Sequence, residues 1–355
     1  MRVVVVGATG NVGTAVVDAL TQQSEVTSIL GLARRRPMTT GDRVEWATAD
    51  IRSDDLVPWF RGADVVVHLA WLFQPSRKTW VTWRANVGGT ERVLRAAAEA
   101  EVPALVYASS VGAYSPCRDD RPVAEDWPTD GWPQAAYMRE KAYAERLLDA
   151  FERRYPRCRV VRMRPAFTFQ YGSASQQRRL FAGPLVPNPL VRPGALPLLP
   201  FPRGLRFQAV HSADIGRAYA LAALGDVRGA FNLAADPVID AARIAELLHT
   251  RIVAVPPRLV RGALAAGWRL RLLPPQPELF DALMHLPIMD TTRARAELGW
   301  TPHVNAADTM REFLSGFRAG AGGDTPPLAA DAGGRWRIRE FTTGVGSRDP
   351  VDQYS

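Results

Sequence analysis

Short apolar runs alternate with longer amphipathic stretches through the first 165 residues of the chain. The amphipathic stretches predict helices at 12–22, 86–100 and 136–154. Apolar strands separated by helices form βαβ units, in which a parallel sheet is covered on both faces. The pattern therefore predicts an α/β, Rossmann-like doubly wound parallel sheet. The apolar runs that predict its strands are VVVVG (3–7), SILGLA (28–33), DVVVHLA (64–70), ALVYASS (104–110) and RVVRMRP (159–165).

The pattern changes after this first region. Residues 171–206 are rich in Pro, Leu and Arg, whereas 207–235 again have the period of a strand, a helix and a strand. Residues 236–318 mix helical segments with Pro-rich interruptions. We predict a first domain at 1–170, to which 207–235 return, and a smaller C-terminal lobe from 171–206 and 236–318. Residues 319–355 are of low complexity, and we predict a flexible tail.

Charge and composition narrow the possible partners. The 47% hydrophobic and 23% charged fractions are typical of a soluble globular protein. A net charge of +8 would suit a nucleic-acid partner. The arginines are scattered among acids and prolines, however, and their longest run is 34–36. We therefore expect no nucleic-acid partner. Among the 44 basic residues only Lys78 and Lys141 are lysines.

The cysteines and the apolar segments indicate the compartment. Cys117 and Cys158 are too few for a disulfide framework and lack metal-ligand spacing, so we predict a reduced, cytoplasmic setting without a metal. No apolar run is long enough for a signal peptide or a membrane span, and we expect no stable membrane insertion. Residues 256–275 resemble a basic amphipathic helix, which would lie on a membrane, cover a pocket or pack against the smaller lobe.

A glycine-rich loop joins the first strand to the first helix. GATGNVG places glycines at Gly7, Gly10 and Gly13. The first permits a tight turn, the second lets the backbone approach a diphosphate, and the third allows the helix to pack on the strand. The free N–H groups at the helix start then face the anion. The loop predicts a dinucleotide site.

The end of the second strand predicts which dinucleotide binds. NAD sites usually carry an acid there, which holds the ribose 2′-hydroxyl. This chain has Ala33 followed by Arg34 and Arg35. Two guanidinium groups favour a 2′-phosphate, so we predict NADP(H), with NAD(H) as the alternative. The arginines also fit the general arginine excess of the chain.

Ten motifs in order resemble those of the extended short-chain dehydrogenase/reductase family, whose members include NAD(P)-dependent epimerases and dehydratases. They extend over nearly all of the chain up to residue 302. The motifs are GATGNVG (7–13), Asp50-Ile51, HLA (68–70), NVGGT (86–90), YASSVGAY (107–114), YMREK (137–141), RP (164–165), VHSADIG (210–216), FNLA (231–234) and TTRARAELGWTP (291–302).

The resemblance implies a catalytic set. Tyr137 would transfer the proton, and Lys141, one helical turn later, would lower the pKa of the tyrosine and hold the nicotinamide ribose. Ser110 would bond the reacting oxygen, although Ser109 precedes it and only one of the two can face the site. Asn86 would support the site directly or by bonding a neighbouring turn. The implied cofactor contacts are Gly7, Thr9, Gly10, Asn11, Val12, Gly13, Arg34, Arg35, Asp50, Ile51, Leu69, Ala70, Tyr137, Lys141 and Pro165.

Apolar and aromatic residues predict the substrate wall. Trp71, Phe73, Phe167 and Phe169 suit an apolar ketone or secondary alcohol, whereas Arg178 could bind the diphosphate of a nucleotide substrate. The same residues also suit the core of a small lobe. The resemblance thus implies an NADP(H)-dependent oxidoreductase for a fairly apolar small molecule.

Two alternatives remain. One is a nucleotide-sugar epimerase with tightly bound NAD, although the asparagine and arginine typical of epimerases are absent from the corresponding stretches. The other is a non-enzymatic NADP sensor of the NmrA type, which generally lacks the Tyr-x-x-x-Lys spacing. The resemblance further implies a homodimer formed through the helices that hold Asn86 and Tyr137. His68 and His211 fit structural positions better than a proton shuttle.

Overall fold

The computed structural model describes residues 1–37, 43–73, 77–117, 119–182 and 192–332. Its strands are β1 (Arg2–Val6), β2 (Ser28–Ala33), β3 (Val44–Thr48), β4 (Val65–His68), β5 (Ala104–Ala108), β6 (Arg159–Pro165), β7 (Phe167–Phe169), β8 (Leu198–Pro202), β9 (Phe207–His211), β10 (Gly229–Leu233), β11 (Ala235–Ile239) and β12 (Arg251–Val255). Its helices are α1 (Asn11–Thr21), α2 (Val57–Phe60), α3 (Thr79–Trp83), α4 (Gly89–Glu99), α5 (Ala136–Arg154), α6 (Ala174–Gln177), α7 (Ser212–Leu224), α8 (Ala241–Leu248), α9 (Pro257–Arg269), α10 (Pro277–Leu283), α11 (Thr292–Ala296) and α12 (Ala306–Ala319).

A seven-stranded parallel sheet forms the centre of the fold. Its strand order is β10-β6-β5-β4-β1-β2-β3, and every neighbouring pair is parallel. The order reverses between β1 and β4, where the chain crosses from one half of the sheet to the other. Ligands of doubly wound sheets bind outside the carboxyl ends of the strands at such a point. The predicted Rossmann-like, doubly wound sheet is confirmed.

Helices cover both faces of this sheet because its central strands are apolar on both sides. Val3 and Val5 of β1 pack with helices α1 and α7, whereas Val4 and Val6 pack with α2, α4 and α5. Successive side chains of a strand point to opposite faces, so a run of valines fills two cores at once. The strand β3, VEWAT, was not predicted, because it lies at the sheet edge and only Ala47 is fully buried.

A smaller part of the chain carries two further sheets. One has the order β11-β9-β7, and the other pairs β12 with β8. Of the segment predicted to return to the first domain, β10 joins the main sheet beside β6, and α7 packs on α1. The strand β9 instead pairs with β7 and β11. The residues 183–191 of the predicted lobe lie outside the described part of the chain.

The structure differs from the predicted flexible tail over residues 320–332. Ser175 holds the start of this segment with two hydrogen bonds. Its N–H donates to Ala321 O over 3.0 Å, and its hydroxyl donates to Gly320 O over 3.0 Å. The side chain of Leu328 is buried. Backbone carbonyls, rather than an apolar side-chain pattern, hold the segment, which explains why its composition did not predict it. Residues 333–355 of the predicted tail lie outside the described residues.

Candidate active site

Two glycines of the loop after β1 are required by close backbone contacts. Gly7 has φ +90°, and a Cβ atom there would lie 2.5 Å from the backbone nitrogen of Ala70. A Cβ atom at Gly13 would lie 2.3 Å from the Gly7 oxygen. Gly10 directly precedes α1 as its N-cap residue, and no side chain caps the helix there. The loop therefore keeps close to both α1 and the loop after β4, with the N–H groups of the helix start available to an anion.

A cavity of about 470 Å³ opens beside this loop, between the ends of β1, β2 and β4. Asn11, by contrast, is used within the fold: its side chain donates to Thr168 O over 3.0 Å and accepts from Gln170 and Ser212. Three further predicted contacts, Val12 and Gly13 on α1 and Pro165 at the end of β6, are not among the residues that line the cavity in the described part of the chain. The predicted cofactor contacts that line the cavity are Gly7, Thr9, Gly10, Arg34, Arg35, Asp50, Ile51, Leu69 and Ala70.

Charge at the far end of the cavity is predominantly positive. Arg34 and Arg35 are exposed at its rim directly after Ala33 ends β2. Burial tends to raise the pKa of Asp50, but hydrogen bonds from Arg52 and the charges of Arg52 and Arg34 hold it below its ordinary value. Two Arg52 nitrogens bind the Asp50 carboxylate at 2.5 to 3.0 Å. The only acid described here is thus neutralised by its own arginine partner.

Ser110 and Ser109 face opposite sides, which resolves the ambiguity between them. Ser110 follows β5 and accepts the Gly112 N–H over 3.0 Å. Its hydroxyl is close enough to Tyr137 to lower the pKa of the phenol. Ser109 donates to the buried Glu145 carboxylate over 2.6 Å. The structure places Ser110, and not Ser109, beside the tyrosine.

Tyr137 and Lys141 share one face of α5, as their spacing predicted. Burial raises the pKa of Tyr137 to about 12, and the neighbouring Ser110 side chain partly offsets the rise. Lys141 is 3% exposed, and its ammonium donates to Ala108 O over 2.6 Å. The Lys141 nitrogen lies 3.5 Å from the ring centre of Trp71 but 6.0 Å from that of Tyr137. The predicted lowering of the tyrosine pKa by this lysine therefore does not appear here, because burial dominates.

Burial also changes the lysine itself. It lowers the pKa of Lys141 to about 7, against the opposing charges of Glu145 and Glu140. A charged amine loses hydration when it is buried, and two nearby carboxylates restore only part of that loss. At neutral pH the amine is therefore close to its midpoint, which suits a group that exchanges protons.

Asn86 supports the site through the backbone. It lies in a π-helical turn, Arg84–Gly88, before α4. Its side chain accepts the Leu72 N–H over 2.6 Å and donates to Leu72 O and to Glu140, at 3.0 and 2.7 Å. Thr82 donates to the other Glu140 oxygen over 2.5 Å. Of the two predicted roles, these contacts match the bonding of a neighbouring turn: they fix residue 72, at the floor of the site.

An aromatic wall stands over Tyr137. Phe73 contacts the tyrosine ring edge-on with 4.5 Å between centroids, and Phe181 lies 5.6 Å from Phe73. Trp71 contacts Tyr137 at 6.1 Å. Phe181 was missed because a single phenylalanine in a stretch rich in Arg, Pro and Leu carries no periodic signal. The second cavity next to this wall is lined by Leu72, Phe73, Thr82, Ala135, Ala136, Tyr137, Glu140, Leu180, Phe181, Pro275, Gln276 and Leu279.

Three predicted substrate residues are not among the described residues that line either cavity. Phe167 packs on Phe207 at 5.4 Å, and Phe169 packs on Phe313 at 4.6 Å. Phe169 belongs to the core of the smaller sheets, and the half-buried Phe167 packs against that core. Arg178 is buried within a π-helical turn, Arg178–Ala182. Alternating aromatics on a strand suit a core and a pocket equally well, and in this structure both rings make core contacts.

The C-terminal segment 320–332 forms an unexpected wall of the first cavity. Thr325 donates its hydroxyl proton to the Thr9 oxygen, within the glycine-rich loop, over 2.7 Å. Arg179 donates to Pro327 O and Ala329 O, at 2.9 and 3.1 Å. Pro326, Pro327, Ala332 and Arg179 line the cavity. We call residues 320–332 the C-terminal strap.

Both candidate histidines serve the fold. His68 is buried beside Thr90, 3.0 Å from its hydroxyl, and burial together with the Lys141 charge lowers its pKa to about 3. His211 caps α7 by accepting the Ala213 N–H and pairs with Glu312 at 3.2 Å. In the described ranges, no group of His, Cys, Asp and Glu side chains has the arrangement of a metal site. No helix in those ranges has the length and apolarity needed to cross a bilayer.

A model of the NAD dependent epimerase/dehydratase family matches residues 3–186, more than half of the chain. The chain belongs to this family. The resemblance to extended short-chain dehydrogenases/reductases is thereby confirmed. The family match contains the glycine loop, Ser110, Tyr137 and Lys141, so the residues described above lie in its characteristic part.

The chain is similar in sequence to an uncharacterized protein, to a dehydrogenase and to a ketoreductase. An uncharacterized protein of Mycobacterium tuberculosis is 28% identical over 329 residues, which are 91% of this chain and 31% of that protein. L-arabinose 1-dehydrogenase of Haloferax volcanii is 36% identical over 110 residues, 31% of this chain and 41% of that one. A 4-hydroxy-2-methyl-3-oxo-4-farnesyl-3,4-dihydroquinoline-1-oxide ketoreductase of Stigmatella aurantiaca is 30% identical over 172 residues, 47% of this chain and 50% of that enzyme.

The chain thus spans only about a third of the mycobacterial relative. Among solved structures, UDP-glucose 4-epimerase of Thermotoga maritima with UDP-glucose has a TM-score of 0.67 at 19% identity, covering 90% of this chain and 99% of that one. At this identity the likeness establishes the shared family fold.

Proposed function

We propose that the protein is an NADP(H)-dependent oxidoreductase that acts on a ketone or secondary alcohol of a fairly apolar small molecule. The observation that carries the proposal is the Ser110–Tyr137–Lys141 group, which lies beneath the aromatic wall of Phe73 and Phe181. A nicotinamide, when bound, would give or accept the hydride. The glycine loop and the arginines at the cavity rim would hold such a dinucleotide.

The chain's own residues would handle the substrate oxygen and its proton. In the reducing direction Ser110 and Tyr137 would bind the carbonyl oxygen, and Tyr137 would donate its proton as the oxygen becomes a hydroxyl. A tyrosine with a pKa of about 12 is protonated at neutral pH and can therefore donate its phenol proton. Lys141, with its pKa lowered to about 7, would then supply a proton that restores the Tyr137 phenol.

The wall favours an apolar substrate. Leu72, Phe73, Leu180, Phe181 and Leu279 line the second cavity next to Tyr137. Polar groups there are few, and Gln276 and Glu140 lie among them. A pocket of this composition binds an apolar body and orients it through a small number of polar atoms. The similarity to a ketoreductase whose named substrate carries a farnesyl chain supports this class.

The test of the reaction is NADPH consumption with a panel of apolar ketones. Tyr137→Phe should lower kcat/KM at least about 100-fold, because the proton donor is removed, while cofactor binding persists. Tyr155→Phe, at the end of the same helix, is the matched control and should behave as wild type. Full activity of Tyr137→Phe, or a thermal shift with UDP-glucose and none with NADPH, would contradict the proposal.

The preference for NADP(H) rests on Arg34 and Arg35. Each charge-assisted hydrogen bond to a 2′-phosphate would contribute about 1.5–3 kcal/mol. The double variant Arg34→Ala/Arg35→Ala should therefore bind NADPH at least about tenfold more weakly, with NADH affinity retained. Arg36→Ala, at the next exposed residue, is the control. Equal losses for both dinucleotides would argue against the preference.

We also propose a homodimer formed through α3, α4 and α5. An aromatic patch is exposed there: Trp80 and Tyr143 are 55% and 44% exposed, and Trp83 lies 4.8 Å from Tyr143. Aromatic residues are enriched at interfaces. Light scattering should give twice the chain mass for wild type and a monomer for Trp80→Ser/Tyr143→Ser.

A further inference from the structure

The helix α9 presents an apolar face to solvent. Leu259 and Leu270, at its start and just beyond its end, are 66% and 68% exposed. Gly262, Ala263 and Ala266 between them are also exposed. From Leu259 the chain reaches Gly262 and Ala263 in three and four residues, and Ala266 and Leu270 follow at the same spacing, so the five positions lie on one side of the helix. Within α9, which the structure describes throughout, no residue is fully buried.

The opposite side of α9 is fixed to the rest of the molecule. Arg77 donates to Trp268 O, and its guanidinium stacks 4.1 Å from the centre of the Trp268 ring. Arg261 forms an ion pair with Asp281 of α10 at 2.8 Å. A Cβ atom at Gly267 would meet Leu273, so the chain folds back closely after the helix. The apolar face is therefore held outward by contacts on the other side.

Basic residues border the apolar face. Arg258 and Arg269 lie on its flank by helical geometry, and Arg271 follows the helix. All three are exposed. The sequence contains no Asp or Glu from residue 247 to residue 277. An exposed apolar stripe with cations at its edge complements a surface that is apolar inside and anionic at its boundary.

We propose that α9 is an interfacial helix that binds the surface of an anionic lipid bilayer, with Leu259 and Leu270 inserted among the lipids and Arg258, Arg269 and Arg271 at the headgroups. The helix is too short and too polar on its inner side to cross a bilayer, so the attachment is peripheral. One anionic bilayer surface accounts for both features, since the leucines contact its apolar interior and the arginines its headgroups.

The position of α9 connects this surface to the candidate site. Pro275 and Gln276, which follow the helix, line the second cavity beside Tyr137, as does Leu279 of α10. A bilayer at α9 would therefore lie near the pocket that we propose for an apolar substrate. The lipid contact itself does not depend on the proposed reaction, because it requires no turnover.

Vesicle co-sedimentation with the full chain tests the proposal. Wild type should sediment with vesicles of phosphatidylcholine and phosphatidylglycerol, much less with phosphatidylcholine alone, and less at high salt. The variant Leu259→Ser/Leu270→Ser keeps every arginine, so general attraction between a basic protein and anionic lipid survives in it. We expect it to lose at least about tenfold in vesicle affinity. Leu221→Ser, an exposed leucine on α7, is the control.

A second pair of variants tests the charges. Arg258→Gln/Arg269→Gln should weaken binding to anionic vesicles several-fold, whereas Arg95→Gln, exposed on α4, should not. The proposal is overturned if wild type does not sediment with anionic vesicles, or if the leucine variant binds them as wild type does. It is equally overturned if the leucine variant changes the oligomeric mass and leaves vesicle binding intact, since α9 would then contact a second copy.

Discussion

Lys141 is buried beneath the indole ring of Trp71, and its environment explains why lysine is used at this point in an arginine-rich chain. The ammonium donates to Ala108 O and stacks on the ring at 3.5 Å. A guanidinium is a wide planar fork that remains charged at any accessible pH, whereas an amine fits as a point and releases its proton. Burial lowers the pKa of Lys141 to about 7, so this release occurs near neutrality.

Lys141→Arg should therefore lose most activity although it keeps the charge. We expect kcat/KM for NADPH-dependent ketone reduction to fall at least about 100-fold, because the variant removes proton exchange and overpacks the site. Lys78→Arg, at the other lysine of the chain, is exposed and should match wild type. Thermal unfolding of both variants separates a loss of fold from a loss of chemistry. Near-normal turnover by Lys141→Arg would refute the assigned role.

The helix α5 carries Tyr137 and Lys141, and a buried carboxylate, Glu145, also bonds it to the sheet. Glu145 is fully buried and accepts hydrogen bonds from Ser109, Arg162 and Arg164 at 2.6 to 3.1 Å. Arg162 and Arg164 both project from β6. The carboxylate thus connects the helix that bears the tyrosine to two strands, and it draws Ser109 away so that its neighbour Ser110 faces the site.

Glu145→Gln should destabilise the fold by about 3 kcal/mol, since it leaves two buried guanidinium groups without their shared anion. Burial alone would raise the pKa of Glu145. The charges and hydrogen bonds of Arg164 and Arg162 outweigh this effect and lower the pKa to about 2, from an ordinary 4.5. A carboxylate with a lowered pKa stabilises the protein above about 4.5, and this contribution disappears as pH falls toward about 2.

Urea unfolding at neutral and acid pH measures both effects. The gap in unfolding free energy between wild type and Glu145→Gln should narrow as the pH is lowered through that range. Glu91→Gln removes an exposed pair with Arg95 at 3.4 Å and should change stability by less than about 0.5 kcal/mol. A gap that stays constant with pH would show that the charge of Glu145 is not responsible.

The sequence predicted those elements whose apolar residues are buried in or against the central sheet. The strands β2 and β6 and the helix α5 begin and end at the predicted residues, because the strands are buried nearly throughout and the helix buries one side against the sheet. The strand β3 was missed, because its outer edge has no neighbour to bury it. Phe167 and Phe169 were assigned to the substrate wall because burial in a core and burial in a pocket select the same residue types.

The C-terminal strap shows what residue patterns do not contain. Its glycines, alanines and prolines predict disorder, yet Arg179 and Thr325 hold it through backbone carbonyls. Every residue type carries the same carbonyl, so such contacts leave no trace in composition. The strap joins the end of the described chain to the glycine-rich loop near its start. In this way the strap lies across from the glycine-rich loop, and residues of both line one cavity.

This closure predicts that the strap retains the cofactor. Thr325→Val keeps the side-chain shape but removes the hydroxyl that binds the Thr9 oxygen. The variant therefore lacks the hydrogen bond between the strap and the glycine-rich loop. One hydrogen bond contributes about 0.5–1.5 kcal/mol, so NADPH should dissociate about three- to tenfold faster in stopped-flow displacement, with little change in its association rate. Thr21→Val, an equivalent change on α1 far from the cavity lining, is the control. Unchanged dissociation from a folded Thr325→Val would show that the strap does not retain the dinucleotide, whereas absence of NADPH binding by wild type would refute the proposed function itself.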